Sequence, residues 1–354
     1  MLSRCTPSRG TVGSNPTLSA SNFFMKYLEN ILEAVGNTPL VRLQKVVSPL
    51  DNKLLLAKAE FLNPGGSIKD RLAIYMIEKA LERGELKEGG TIVEATSGNT
   101  GVALAMYGAV RGFKVILTVT EKVSREKLDH LRALGAEVIV CPGNAKHGSP
   151  ESRNEVARKL AEVTPNAFYV NQHENMDNPM AHYETTAKEI WEDTEGKITH
   201  FVAGLGTGGS FTGIAKFLKE RNQNIKCIAV DPVGSVFYDY FKTGRPGKYG
   251  EYEIEGLGDD AIIPTVDFSL VDDIIQIKDK DAFLMARRLA REEGLFVGGS
   301  SGANVWGAIK VYKEAFPNSI IVTLLPDSGF KYLSKIYNDR WMKSKGYLDA
   351  DFIS

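Results

Sequence analysis

Apolar residues along this chain fall into short runs of strand length, each followed by a glycine-rich break and then a stretch with helical spacing. The run 91–95 is followed by the break Ser97-Gly98-Asn99-Thr100-Gly101, and 102–110 then reads as helix. The next strand is 114–120 and the next helix 124–134, with Ser124 as N-cap and Gly135 as C-cap. Strands follow at 137–140, 167–171, 198–203, 227–230 and 320–325. Helices are expected over 151–163, 178–192, 211–221, 280–293, 305–315 and 331–338. Such alternation predicts an α/β fold: two interleaved three-layer domains with mainly parallel sheets and helices on both faces. In sheets of that kind ligands bind beyond the carboxyl ends of strands, so the chemistry is expected in the strand-to-helix loops.

Composition narrows the function classes. Of 354 residues, 43% are apolar and 25% charged, and 43 basic against 44 acidic side chains leave a net charge of −1. No basic surplus marks a nucleic-acid or anionic-membrane partner, and no apolar run approaches membrane-spanning length. Cys5, Cys141 and Cys227 are too scattered for a disulfide framework or zinc spacing, which fits a cytoplasmic protein. The five histidines form no H-x-x-H pattern, so no metal is expected. Residues 1–24 are rich in Ser, Thr, Pro and Gly without period, and read as a disordered leader. Gly13-Ser14-Asn15-Pro16 is what one frame of a tRNA T-arm encodes, so the true start is expected at Met25.

Four loops carry candidate chemistry. In N-P-G-G-S-I-K-D-R (63–71), Lys69 sits in the first turn of a helix, with Ser67 as its expected N-cap. A positive charge is disfavoured there, because the helix N-terminus is itself positive. Asp70 and Arg71 are expected to secure the turn. The stretch Gly204–Gly213 follows a strand and opens a helix; its glycines let the backbone approach an anion, a phosphate cup. It lacks the G-K-[ST] of a P-loop and fits a dinucleotide fingerprint only loosely. Thr96-Ser97-Gly98-Asn99-Thr100-Gly101 is a second anion-binding turn, suited to a carboxylate, though such residues also serve as ordinary caps. Gly298-Gly299-Ser300-Ser301-Gly302 has no elbow and no histidine or acid placed for a triad, which excludes a serine hydrolase. A lysine in a tight turn, a phosphate cup, a carboxylate cup and a neutral hydroxyl loop suit a phosphorylated aldehyde held on a lysine and reacting with an amino acid. That is pyridoxal phosphate.

The sequence resembles the fold-type II pyridoxal-phosphate enzymes of the cysteine synthase and cystathionine β-synthase group, over roughly residues 28–342. G-N-T-P-L-V-R-L (36–43), N-P-G-G-S-I-K-D-R, T-S-G-N-T-G and G-T-G-G-S carry the likeness. The stretches 121–127, 148–152, 230–235, 252–258 and 326–342 resemble the cystathionine β-synthase catalytic core. N-Q-H-E-N (171–175) and E-I-W-E-D-T (189–194) lean toward cysteine synthases.

The resemblance implies one catalytic region over 25–342 and a tail at 343–354. Within that region it implies a smaller mobile subdomain at about 60–175 and a larger one at about 176–342 that includes the first strands. It implies no haem segment, because Cys5 is the only cysteine before the core and no histidine precedes His130, and no regulatory tandem domain. By motif, Lys69 is the covalent anchor of the cofactor and the acid–base group. Asn99 meets the cofactor's 3′-oxygen, and Gly206, Thr207, Gly208, Gly209 and Ser210 hold its phosphate. Ser300 faces the pyridine nitrogen. Thr96, Ser97, Thr100 and Gln172 hold the substrate carboxylate, and Glu255 makes a polar contact on the second-substrate side. The implied reaction is β-replacement, with serine and homocysteine giving cystathionine. A cysteine synthase using O-acetylserine or O-phosphoserine with sulfide is the alternative, and a serine or threonine dehydratase a third reading. A homodimer is implied as well. Asp259 follows E-G-L-G where animal enzymes tend to carry tyrosine, which leaves the thiol open.

Overall fold

A computed structural model describes residues 27–349 apart from Ser97, Lys122, Asn144, Lys146 and His147. The leader, Cys5 and Met25, and the end of the tail lie outside the described residues. Strands β1 (Leu40–Arg42) and β2 (Leu54–Lys58) precede helix α1 (Lys69–Glu82). Strict alternation follows: β3 (Thr91–Ala95), α2 (Asn99–Arg111), β4 (Lys114–Thr120), α3 (Arg125–Ala133), β5 (Glu137–Cys141), α4 (Arg153–Val163) and β6 (Ala167–Tyr169). Helices α5 (Asp177–Glu184) and α6 (Thr186–Asp193) lead to β7 (His200–Gly204), α7 (Gly209–Arg221), β8 (Lys226–Pro232) and α8 (Phe237–Thr243). The chain closes with β9 (Asp273–Ile277), α9 (Asp279–Arg288), α10 (Gly299–Glu314), β10 (Ile320–Leu324) and α11 (Asp339–Ser344).

These strands form two sheets. The larger has the order β1-β2-β10-β7-β8-β9, parallel except for β1, and the smaller has the parallel order β5-β4-β3-β6. Both are covered on both faces, which is why β3 and β7 are buried at every position. Alternation along β7 sends Phe201 and Ala203 into one core and Val202 into the other. In the small sheet Ile92 and Val93 divide in the same way.

Strand order locates the site. The small sheet grows from β3 toward β5 and then returns to place β6 on the other side of β3. The large sheet grows from β7 toward β9 and returns to place β10 beside β7. Each reversal opens a crevice at the carboxyl ends of its strands. The loops after β3, β6, β7 and β10 converge there.

Three expectations are corrected by the backbone. The helix expected over 178–192 is broken at Thr185 (φ −123°, ψ −79°), whose hydroxyl donates to the Ala181 carbonyl at 2.6 Å and competes with the helical ladder. The helix expected over 331–338 is only a 3-10 turn, Gly329–Tyr332; the next helix begins after Asn338, whose side chain caps the N–H groups of Arg340 and Trp341. The strand expected to reach residue 171 ends at Tyr169, and Asn171 takes a positive φ of 50°. Ser124 is the N-cap of α3, accepting from Lys127 N.

Candidate active site

The turn before α1 is built from both sheets. Ile68 N–H donates to the Pro326 carbonyl at 2.8 Å, so the segment is pinned beside the carboxyl end of β10. Gly66 has φ +72°, which favours glycine. Asp70 Oδ2 accepts the Gly65 N–H at 2.5 Å, and burial pushes the Asp70 carboxyl up to about 6. The cap position falls on Ile68, which has no side chain to accept a hydrogen bond, while Ser67 Oγ, one residue before it, accepts the Lys69 N–H at 3.3 Å. Arg71 is bound to Glu60 (2.8 Å) and Glu189 (2.6 Å) and ties α1 to α6. The Lys69 amine is thereby aimed inward, donating to Thr207 Oγ1 at 3.1 Å. Burial lowers it from its ordinary value to about 8, against an opposing pull from Glu94.

The small sheet supplies a chain of polar groups. Thr100 Oγ1 donates to Gln172 Oε1 at 2.7 Å, and Gln172 Nε2 donates to Glu94 Oε1 at 2.9 Å. Glu94 Oε2 takes the Asn171 N–H at 2.8 Å, and burial pushes this carboxyl up to about 8. Thr96 Oγ1 is used within its own turn, accepting the N–H groups of Gly98 (2.9 Å) and Gly101 (3.4 Å). Ser97 lies outside the described residues.

From the large sheet comes the glycine turn. A Cβ on Gly206 would lie 2.1 Å from the Gly256 carbonyl oxygen, and one on Gly209 would lie 1.9 Å from Asn178 Oδ1. Gly208, φ +74°, is the cap position of helix α7 and offers no side-chain cap. Among the described residues the N–H groups of Gly206 through Ser210 meet no carbonyl or side chain. Asn178 Nδ2 joins Lys69 on Thr207 Oγ1, at 3.1 Å.

Lys69, Asn99, Thr100, Gln172, Gly206 and Thr207 line one cavity of about 300 Å3. A desolvated amine, uncapped N–H groups at a helix start and a hydroxyl–amide pair therefore face one space. The chain matches the pyridoxal-phosphate dependent enzymes over residues 31–327. It belongs to that family. It is 44% identical over 348 residues to the cystathionine beta-synthase of Apis mellifera, covering 98% of this chain and 69% of the relative. It is 40% identical to cysteine synthase 1 of Emericella nidulans, covering 92% of this chain and 88% of the relative. The crystal structure of the O-acetylserine dependent cystathionine beta-synthase from Helicobacter pylori superposes with a TM-score of 0.81 at 39% identity, over 89% of this chain and all of that one. The fold is that of fold-type II pyridoxal-phosphate enzymes, and pyridoxal phosphate is the cofactor.

The residues present fit that cofactor. The glycine turn is a cradle that side chains would fill, its N–H groups suit a phosphate, and Lys69 is the amine with the least competition. Lys331 is also buried and lowered to about 8, but it donates to Gly65 O (3.0 Å) and Asn99 Oδ1 (2.8 Å) and sits beside Asp327 and Asp70. Asn99 Nδ2 in turn donates to Asp327 Oδ2 at 2.7 Å, as does Tyr332 OH at 2.6 Å. Ser300 is buried in the first turn of α10 and is not among the residues lining the cavity; Gly298 N–H binds the Asp327 carbonyl, which joins that loop to the Asn99 cluster. Gly208, Gly209 and Ser210 stand behind Gly206 and Thr207 in the same turn. Glu255, expected to face the second substrate, is turned onto Lys127 and Lys335 instead; the two ammonium groups hold its carboxyl below its ordinary value.

Sequence reasoning missed Glu94, Asn178, Asp327, Lys331 and Tyr332. The last three stand in the P-D-S-G-F-K-Y stretch, a visible signal to which no role was attached. Among the described residues no cluster of three His, Cys, Asp or Glu side chains could hold a metal ion, and no helix is long and apolar enough to cross a membrane.

Proposed function

We propose that the chain catalyses β-replacement on serine or an activated serine, with homocysteine as acceptor and cystathionine as product. The observation that carries this is the single cavity in which the Lys69 amine faces the glycine turn and the Thr100–Gln172 pair. When bound, pyridoxal phosphate withdraws electrons from the substrate Cα, which acidifies its proton and labilises the β-substituent. Lys69 anchors the cofactor; its amine, once released, moves a proton between Cα and the departing group. An amine lowered to about 8 is neutral often enough near physiological pH for that task. Thr207 Oγ1 gives the amine a resting place. Thr96, Ser97, Thr100 and Gln172 hold the substrate carboxylate, with Gln172 oriented from behind by Glu94. Gly206, Thr207, Gly208, Gly209 and Ser210 hold the phosphate, and Asn99, fixed by Asp327 and Lys331, holds the ring oxygen. Ser300, buried in the first turn of α10, would offer the ring nitrogen a hydroxyl rather than a carboxylate, which would favour loss of the β-substituent over transamination.

A second reading is supported by the 40% identical cysteine synthase 1: O-acetylserine or O-phosphoserine as donor and sulfide as acceptor. Product analysis of purified enzyme, given each serine donor with homocysteine or sulfide, separates the two. Cystathionine as main product supports the first reading and cysteine the second. Steady pyruvate release from serine, undiminished by homocysteine, overturns both in favour of a dehydratase. The cytoplasm is the proposed compartment, on the buried free thiols Cys141 and Cys227. A homodimer is proposed on the apolar groove lined by Met176, Met180, Tyr183, Ile262, Phe268 and Leu270.

A further inference from the structure

The polar chain in the small-sheet wall of the cavity has a direction. Thr100 has one hydroxyl hydrogen, and it goes to Gln172 Oε1 at 2.7 Å. The amide hydrogens of Gln172 go to Glu94 Oε1 at 2.9 Å and to the Ala95 carbonyl at 3.4 Å. Every donor thus points into the wall. Neither side chain has a hydrogen left for a carboxylate in the cavity that both of them line. This direction needs an ionised Glu94, because Gln172 donates to it.

Glu94 is poorly placed to stay ionised. It stands on β3 and is 1% exposed. Lys69 of α1 and Arg153 of α4 act on it through space without touching it, and Tyr169 of β6, the other titratable neighbour, is itself pushed up and stays neutral. Burial outweighs the N–H groups of Asn171 and Gln172 and pushes the Glu94 carboxyl up to about 8. Its partners decide which oxygen carries the proton. Oε2 already takes the Asn171 N–H at 2.8 Å, so the proton belongs on Oε1, facing Gln172. A donor cannot face a donor, and the Gln172 amide must turn over. Its Oε1 then accepts from Glu94, its Nε2 donates to Thr100 Oγ1, and the Thr100 hydroxyl is released toward the cavity. The amide contact given up, to the Ala95 carbonyl, is the long one.

We propose that Glu94 is a positioning residue that holds a proton on Oε1, and that this proton reverses the chain so that Thr100 donates to the substrate carboxylate. Ionised Glu94 restores the inward direction, withdraws the donor and sets a second negative charge behind the ligand. Glu94 does not itself line the cavity and acts only through Gln172. The inference rests on the reading of Thr100 and Gln172 as holders of the carboxylate.

The test uses holoenzyme and two ligands without a leaving group: L-alanine, and ethylamine, which lacks the carboxylate. Binding of each is followed by visible absorbance at pH 7 and pH 9, and the preference for alanine over ethylamine isolates the carboxylate contact from the titration of Lys69. In the parent that preference is expected to fall about tenfold as Glu94 ionises. Glu94→Gln cannot ionise, and its amide can donate to Gln172 while accepting from Asn171, so its preference is expected to stay level. Thr100→Val is expected to lower the preference about tenfold already at pH 7. A level preference in the parent overturns the reversal without any variant, and so does an equal fall in Glu94→Gln. An unchanged preference in Thr100→Val removes the carboxylate reading, and the reversal with it. A lowered one beside an undiminished fall in Glu94→Gln removes the role of Glu94 alone. Binding is what is measured, so a parent without β-replacement would alter none of these outcomes.

Discussion

Gly206→Ala probes the phosphate cradle directly. The added Cβ would sit 2.1 Å from the Gly256 carbonyl oxygen, where a carbon–oxygen contact needs about 3.3 Å. The shortfall of roughly 1.2 Å cannot be absorbed by a rotamer, since the obstacle is backbone. Nor can the turns part freely: Gly258 N–H donates to the Leu205 carbonyl at 2.6 Å, one residue from Gly206 and two from Gly256. Overpacking of this kind costs about 1–3 kcal/mol. If it falls on the cradle, cofactor affinity drops roughly 5- to 150-fold. Titration of apoenzyme with pyridoxal phosphate, followed by visible absorbance, measures the loss. The melting temperature of the apo-variant separates cradle damage from global destabilisation. An affinity within twofold of the parent, with a stable fold, would refute the assignment of the turn.

Further outcomes follow from the buried charges. Arg71→Met leaves Glu60 buried without its cation and is expected to cost about 3–5 kcal/mol in urea unfolding, with Arg71→Lys recovering little because one ammonium cannot replace the fork; an unchanged midpoint contradicts this. Burial raises Asp231 from its ordinary value of 3.8 to about 7, so the folded state binds the extra proton and stability falls as pH rises through that window. Asp231→Asn should therefore gain melting temperature relative to the parent at pH 8 and not at pH 4, and a pH-independent difference would argue otherwise. Apoenzyme should take up cofactor covalently at a rate that climbs with pH and levels off near 8, where Lys69 becomes neutral; a climb continuing past 10 would mark an unperturbed lysine. Thr100→Val removes the hydroxyl bound to Gln172 and should raise KM for the serine donor about tenfold more than KM for the thiol.

What the sequence disclosed depended on how local the cause was. The small sheet was legible almost strand by strand, because parallel strands buried on both faces write continuous apolar runs such as K-V-I-L-T-V-T. Edge strand β1, three residues with a half-buried pattern, and β9, with exposed Asp273 at its start, carry too little signal. The K-Y-L-S-K-I-Y-N stretch has helical spacing, yet Lys331 reaches Gly65 and Asn99 while Tyr332 reaches Asp327, and those distant partners dictate a tight turn instead. Glu94 reads in T-I-V-E-A as a polar interruption of a strand; its role exists only through Gln172, far along the chain. Glu255 was placed near the second substrate by motif, but two lysines from separate elements claim its carboxylate. Lys69 was legible because its oddity is local, a positive charge at a helix start behind two glycines.

The most direct measurement is borohydride reduction of the holoenzyme followed by peptide mass spectrometry. The cofactor is expected on the peptide containing Lys69, with Lys69→Ala abolishing both the label and the visible absorbance. Label on Lys331 or Lys127 instead, or none on any lysine, would contradict the account at its centre.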